Sequence, residues 1–149
     1  MLYFSLVHCH LKYCIASWGA DTNSVLQPLE VVHNTILRTI THNKHRCHIT
    51  PVHKSLNILK LHYICQLELA KRMHKFHPEM LPTSFTDLFQ KTAEVHCHNT
   101  RYATSQNYFI QHVSTNAGKK TISHRGATHW ANVDQQFKDK SHNAFSNQY

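Results

Sequence analysis

The spacing of apolar residues predicts a helix over residues 1–18. One set of side chains shares a face of that helix, at spacings of four, three and four: Leu2, Leu6, Cys9 and Tyr13. We expect this face to contribute to the core. Gly19 follows the last aromatic residue of the segment, which favours a helix end with a left-handed glycine backbone.

A second helix is predicted to follow and to end near Thr41. Its apolar side chains recur every three or four residues: Val25, Leu29, Val32, Ile36 and Ile40. Pro28 lies among them, and a proline beyond the first helical turn removes a backbone hydrogen bond. We therefore expect the regular helix to begin near Pro28.

Two more helices are predicted in the middle of the chain. A short one covers residues 51–56, with Thr50 as N-cap and Pro51 at the first helical position. A longer one covers residues 60–76 and has a clear apolar stripe: Leu61, Cys65, Leu69, Met73 and Phe76. Lys71 and Lys75 fall on a neighbouring stripe, and helical geometry places Arg72 nearer the apolar one.

The pattern changes after Thr92. Residues 108–113 and 121–124 are rich in β-forming side chains, and the turn residues Asn116 and Gly118 lie between them, which favours a small β-hairpin. A short C-terminal helix is expected near the end of the chain. The predicted fold is therefore mainly α, with a helical bundle in residues 1–92 and the hairpin and tail in residues 93–149, as parts of one incomplete domain.

The charge of the chain favours a polyanionic partner. Its 16 Lys and Arg residues exceed its 8 Asp and Glu residues, which gives a net charge of +8. Between positions 38 and 75 a run of basic residues contains only one acid, Glu68: Arg38, Lys44, Arg46, Lys54, Lys60, Lys71, Arg72 and Lys75. Such a run is typical of a surface that binds nucleic-acid phosphates. A solvated face of a helical bundle explains the same charges, and sequence alone leaves both interpretations open.

Several common functions lack their motifs. The 3 glycines of the chain form neither a phosphate-binding loop nor a dinucleotide fingerprint, and the chain has no G-x-S-x-G nucleophile motif and no adjacent pair of aspartates. An odd number of cysteines, 5, without a CxxC pair favours reduced thiols in an intracellular protein. No apolar run approaches the roughly 18 residues of a membrane span, so we expect no membrane association.

Histidines and cysteines cluster in three places. The chain contains 16 histidines, and the clusters are residues 8–10, residues 45–48 and residues 96–98. In an adjacent triplet such as His96, Cys97 and His98 the outer side chains can converge on an ion, whereas the middle one points away. Structural zinc sites draw ligands that are two to four residues apart. Zinc binding is therefore the least favoured interpretation, and we expect no cofactor.

Six short stretches occur in this chain order: "YFSLVHCHLKYCIASWG", "LQPLEVVHNTILRTI", "TPVHKSLNILKLHYICQLELAKRMHKF", "LP" at 81–82, "HCHNTR" at 96–101 and "GATHWANV" at 126–133. Together they resemble the region downstream of the catalytic palm in reverse transcriptases of non-LTR retrotransposons, the LINE-type elements similar to jockey and CR1. The match in "HCHNTR" is carried by Asn99, Thr100 and Arg101, which leaves Cys97 and His98 at variable positions. The proline that the family has after Trp130 is absent here.

The resemblance implies a thumb-like, non-catalytic fragment of an RNA-directed DNA polymerase. The palm aspartates that hold magnesium in the family are absent from this chain and are expected upstream of it. The implied partner is an RNA or DNA template–primer duplex, bound through its phosphates without base recognition. On charge and placement the expected contacts are Arg38, Lys71, Arg72, Lys75 and Arg101. The alternatives are a helical structural or interaction remnant without binding, and a zinc-binding module.

Overall fold

The computed structural model describes residues 2–44, 46–76, 82–95, 98, 100–141 and 144–145. The chain divides into two compact units, Met1–Cys65 and Gln66–Tyr149. The predicted mainly α fold is confirmed, because the regular elements of the described residues are helices. The division between the units falls within one helix, after Cys65. None of the described helices combines the length and the apolar character that crossing a membrane requires.

In the first unit, the predicted N-terminal helix is divided into short segments. A π-helical turn at Phe4–His8 leads into α1 (Cys9–Lys12). Cys14 then adopts a left-handed backbone with φ of 52°, and α2 (Ile15–Trp18) follows. Because a left-handed residue other than glycine interrupts a right-handed helix, the segment cannot continue as one helix.

The core face predicted for this segment is wrong. Leu2 is 75% exposed, Leu6 62% and Tyr13 77%. The buried side chains lie on another stripe with a spacing of four, which includes Tyr3, Leu11 and Ile15. Apolar residues occupy both stripes, and the second prevails because Leu11 and Ile15 pack on the first turns of α5 (Leu61–Phe76).

Gly19 ends α2, but not with the predicted left-handed backbone. Its φ is −68°, which any residue adopts, and its N–H donates to the carbonyl of Ile15 at 2.8 Å. A Cβ at this position would lie 2.5 Å from that carbonyl oxygen and 2.7 Å from Sγ of Cys65. The glycine is therefore required by close packing and not by backbone conformation.

α3 covers Asn23–Ile40 and begins five residues before Pro28, so the expected start near Pro28 is wrong. The N–H groups of Val25 and Leu26 both donate to the carbonyl of Thr22, at 3.0 and 3.1 Å, and these bonds hold the first turn ahead of the proline. The predicted apolar stripe of α3 is also largely uncovered, since Val32 is 54% exposed. His33 and Leu37 are its buried residues.

α4 covers Ile49–Leu56 and begins one residue before the predicted N-cap Thr50, with His48 at the N-cap position. α5 has the predicted extent, except that it begins at Leu61. Its predicted apolar stripe is confirmed. Within the first unit, Leu61 and Cys65 are 5% and 4% exposed, and within the second, Leu69 and Met73 are 2% and 1% exposed.

The second unit contains five short helices besides the rest of α5, counted over the residues that the structure describes. They are α6 (Thr92–Val95), α7 (Arg101–Thr104), α8 (Asn116–Lys119), α9 (Ile122–Ala131) and α10 (Gln135–Lys138), and a 3-10 turn covers Thr83–Leu88. The core of this unit gathers Met73, Tyr108, Ala127, Trp130 and Phe145. α10 accounts for the short helix that was expected near the C-terminus.

The predicted β-hairpin is wrong. Residues 122–124, expected in its second strand, form the first turn of α9, and the described residues contain only an isolated antiparallel bridge between Lys91 and Tyr108. Thr121 caps α9, because its Oγ1 accepts from the N–H of His124 at 3.4 Å. Thr115 caps α8 in the same way through Gly118 at 3.1 Å. These caps favour helices where β propensity alone favoured strands.

Candidate nucleic-acid interface

A concave loop of basic residues connects α3 to α4 in the first unit. The described residues of this basic loop, 42–44 and 46–47, line a wide, open cavity of about 580 Å³: His42, Asn43, Lys44, Arg46 and Cys47. Lys44 and Arg46 are exposed, and the lining residues that the structure describes include no acidic side chain. An anion that enters the cavity therefore meets cationic and neutral polar groups.

Arg38 holds both sides of the basic loop. Its carbonyl accepts a hydrogen bond from the N–H of Asn43 at 3.0 Å, and its Nε–H donates to the carbonyl of Cys47 at 3.2 Å. His42 makes the chain turn, since it has a left-handed backbone with φ of 53°. Arg38 was predicted as a direct phosphate contact. In the structure its hydrogen bonds hold the loop that carries Lys44 and Arg46.

A buried polar network joins the helices on either side of the basic loop. Nε2 of His53 in α4 lies 3.1 Å from Oδ1 of Asn34 in α3, and Nδ1 of His53 donates to the carbonyl of Ile58 at 3.0 Å. The His53 ring also contacts the buried His33 ring, with 5.5 Å between the ring centroids. Because both helix positions are fixed in this way, the ends of the basic loop are held in place.

The second unit presents basic residues on α5. Arg72 and Lys75 are exposed, whereas Lys71 is half-buried. The sequence prediction was the reverse, because it placed Arg72 nearer the apolar stripe than Lys71 and Lys75. Arg72 and Lys75 are three residues apart and are therefore neighbours on the helix surface. Buried Met73 and His74 lie between them in sequence, and they anchor this part of α5 in the core.

Arg101 is exposed and is the first residue of α7. The hydroxyl of Tyr102 donates to the carbonyl of Tyr108 at 3.2 Å, which fixes the helix that carries Arg101. The structure thus places Lys71, Arg72 and Lys75 together on adjacent turns of α5, and Arg101 on a separate element of the same unit. Arg38 belongs to the first unit.

The contacts chosen from the sequence did not include Lys44 and Arg46. Both belong to the polar run "THNKHR" after α3, so their charge was visible in the sequence. The cavity was not visible, because it depends on the left-handed backbone of His42 and on the bond from Arg38 to Cys47. Neither feature produces a repeating pattern in the sequence from which it could be predicted.

The histidine and cysteine clusters do not form a metal site in the part of the chain that the structure describes, where no group of three His, Cys, Asp or Glu side chains could hold an ion. His96 and Cys97, which belong to the third cluster, and His45 of the second lie outside the described residues. Cys9 donates from Sγ to the carbonyl of Ser5 at 2.8 Å. The four described cysteines are free thiols.

Comparisons with known proteins give no match. No family model matches this chain, and no curated protein and no solved structure matches it either. Each unit carries its own candidate contacts, the basic loop in the first and the exposed basic residues of α5 and α7 in the second. The resemblance to reverse transcriptases stays a prediction.

Proposed function

We propose that this chain is a non-catalytic element that binds an RNA or DNA template–primer duplex through its phosphates. The carrying observation is the basic loop, a cavity lined by Lys44 and Arg46 whose two sides are held by Arg38. We further propose, from the six sequence stretches, that the chain derives from the post-palm region of a non-LTR retrotransposon reverse transcriptase. In that role the nucleotide chemistry belongs to a palm that is not in this sequence.

The basic loop suits a phosphate better than it suits a base. A phosphate needs cations and hydrogen-bond donors at a fixed distance, and Lys44 and Arg46 supply the cations from a loop whose turn is held by main-chain bonds. The N–H of Cys47 donates to the carbonyl of Lys44 at 2.9 Å, which closes that turn. Contacts of this kind position a duplex without reading its sequence.

The net charge of +8 supports the same proposal. A surplus of positive charge raises the rate of encounter with a polyanion, and each neutralised phosphate releases counterions. Arg72 and Lys75 supply further exposed cations on α5. Binding of this origin weakens steeply as the salt concentration rises.

Fluorescence anisotropy with a labelled duplex tests the contribution of α5. The logarithm of the affinity should fall linearly with the logarithm of the salt concentration, and the double variant Arg72→Ala/Lys75→Ala should reduce that slope by about two. Lys91→Ala, at an exposed lysine outside α5 and the basic loop, is the matched control and should keep the wild-type slope. An unchanged slope in the double variant would remove α5 from the interface. Primer extension by the purified chain with magnesium and dNTPs should stay at background.

Exposed apolar residues in the first unit favour a second candidate function, a structural or interaction element. Large apolar side chains there are between 38% and 77% exposed: Leu2, Phe4, Leu6, Tyr13, Val25, Val31, Val32, Ile40, Leu59 and Tyr63. Clusters of such residues often mark protein contacts. If the wild-type chain does not bind a duplex even at low salt, this candidate replaces the first.

A further inference from the structure

The second unit contains a cleft whose lining differs from that of the basic loop. Its volume is about 400 Å³, and its walls come from residues 87–90, residues 109–113 and residues 118–124. We call it the 87–124 cleft. A volume of this size falls in the range of small-molecule sites, roughly 300–1,000 Å³.

Main-chain hydrogen bonds fix two walls of the cleft. The N–H of Phe109 donates to the carbonyl of Gln90 at 2.8 Å, and the N–H of Thr92 donates to the carbonyl of Asn107 at 3.1 Å. The isolated bridge between Lys91 and Tyr108 lies between these two bonds. The first two walls are therefore held side by side over several residues.

The third wall is fixed by packing and by a helix cap. A Cβ on Gly118 would collide with the side chain of Val113, so α8 is in close contact with the segment at residues 109–113. Thr121 caps α9 through the N–H of His124, and this cap sets the start of the helix that carries Ser123 and His124. All three walls are thus defined before any ligand enters.

The lining chemistry fits a flat, neutral ligand with hydrogen-bonding edges. Phe109 offers an aromatic ring, and Leu88 and Val113 offer apolar surface. Hydrogen-bonding groups are supplied by other lining residues: Asp87, Gln90, Gln111, Ser123 and His124. Among the described residues that line the cleft there is no lysine and no arginine, which disfavours a phosphate. Amides, carboxylates and hydroxyls beside an aromatic ring are the groups with which proteins hold unpaired bases.

We infer that the 87–124 cleft binds one unpaired nucleobase, which stacks on Phe109 and forms hydrogen bonds with the polar side chains of the cleft. This inference deepens the proposed nucleic-acid function and rests on it for the source of the base, a nucleotide outside the duplex.

Three labelled probes with the same duplex test the inference by fluorescence anisotropy. One is blunt, one carries a single unpaired 2-aminopurine at its 3′ end, and one carries an abasic residue there. The wild-type chain should bind the 2-aminopurine probe about tenfold more tightly than the other two probes. Binding should also quench the fluorescence of the 2-aminopurine base. Phe109→Leu and Gln111→Ala should each reduce this preference. Gln136→Ala, at an exposed glutamine outside the cleft, should retain it.

Free nucleosides at millimolar concentration distinguish the source of the base. One outcome is that free nucleosides bind the chain but the unpaired base does not raise the affinity for the duplex. The cleft then binds a free nucleoside, and the site stands even if duplex binding fails. If the three probes bind with equal affinity and nucleosides have no effect, the inference is overturned while the proposed duplex binding survives. Gln111 is exposed, so its variant tests the cleft even if Phe109→Leu fails to fold.

Discussion

The hydroxyl oxygen of Tyr3 lies 2.7 Å from Nε2 of His33, and each residue is only 1% exposed. This hydrogen bond joins the N-terminal helical segment to α3. Burial raises the pKa of Tyr3 to about 12. Burial, together with the neighbouring His53 and His8, lowers the pKa of His33 to about 4. At neutral pH both side chains are therefore uncharged, and the contact that orients α3 is a bond between neutral groups.

The low pKa of His33 makes the stability of the protein dependent on pH. The ordinary pKa of a histidine is 6.5, against about 4 for His33 in the folded chain, so the unfolded state binds more protons between these values. The contribution of neutral His33 to the free energy of unfolding is complete above about pH 6.5 and is lost as the pH falls towards 4. Urea unfolding at several pH values measures this, and the variant His33→Leu should lose less stability over that range than the wild type.

The matched control for His33 is His112→Leu, at an exposed position, which should keep the wild-type pH dependence. If His33→Leu and the wild type lose the same free energy of unfolding between pH 6.5 and 4, His33 is not the group responsible.

Removal of the Tyr3 hydroxyl should destabilise the chain. The variant Tyr3→Phe keeps the ring but leaves Nε2 of buried His33 without its partner, which costs about 1–3 kcal/mol. Tyr63→Phe removes a hydroxyl from a side chain that is 50% exposed and should have almost no effect. Thermal unfolding of both variants at pH 7.5 makes the comparison, and equal melting temperatures would contradict a stabilising role for the Tyr3 bond.

Gly19→Ala should destabilise the first unit. The added methyl group would lie 2.5 Å from the carbonyl oxygen of Ile15 and 2.7 Å from Sγ of Cys65, and such overpacking costs about 1–3 kcal/mol. The neighbouring variant Ser17→Ala changes an exposed residue and should be neutral within about 0.5 kcal/mol. Denaturant unfolding measures both, and a neutral Gly19→Ala would show that the packing around Cys65 relaxes freely.

Removal of metal should leave the fold intact. A structural zinc site contributes folding free energy, so a chelator lowers the stability of a protein that depends on one. We expect the same melting temperature with and without EDTA, and well under one zinc per chain by elemental analysis. One bound zinc with a large chelator-induced loss of stability would restore the interpretation that uses His96, Cys97 and His98.

The sequence predicted the buried face of α5 well because one apolar stripe recurs there at a regular spacing of four. Leu61, Cys65, Leu69 and Met73 follow it, and all are buried. The N-terminal segment has two apolar stripes, and periodicity could not decide that Tyr3 would be buried and Leu2 exposed. That choice depends on a tertiary partner, His33, 30 residues away along the chain.

The hairpin and the basic loop show two other limits of sequence patterns. β-forming residues at 121–124 joined a helix because the Thr121 cap and the burial of Trp130 in the core outweighed their propensity. The charges of Lys44 and Arg46 were readable, but their placement around a cavity depends on single backbone features such as the left-handed His42. The sequence placed basic residues on α5, but helical geometry alone misjudged their exposure, since Arg72 is exposed and Lys71 is half-buried.

Duplex binding by a variant of the basic loop tests the central claim most directly. The double variant Lys44→Ala/Arg46→Ala removes the lysine and the arginine of the cavity. The two Arg38 hydrogen bonds that hold the loop, one at its backbone carbonyl and one from its side-chain Nε–H, remain possible. In low salt, the double variant should bind a blunt duplex at least about tenfold more weakly than the wild type, by a similar factor for any duplex sequence, and its salt slope should fall by about two. Lys91→Ala should match the wild type. Equal affinities for the wild type, the loop variant and the control would contradict the claim that this loop binds nucleic-acid phosphates.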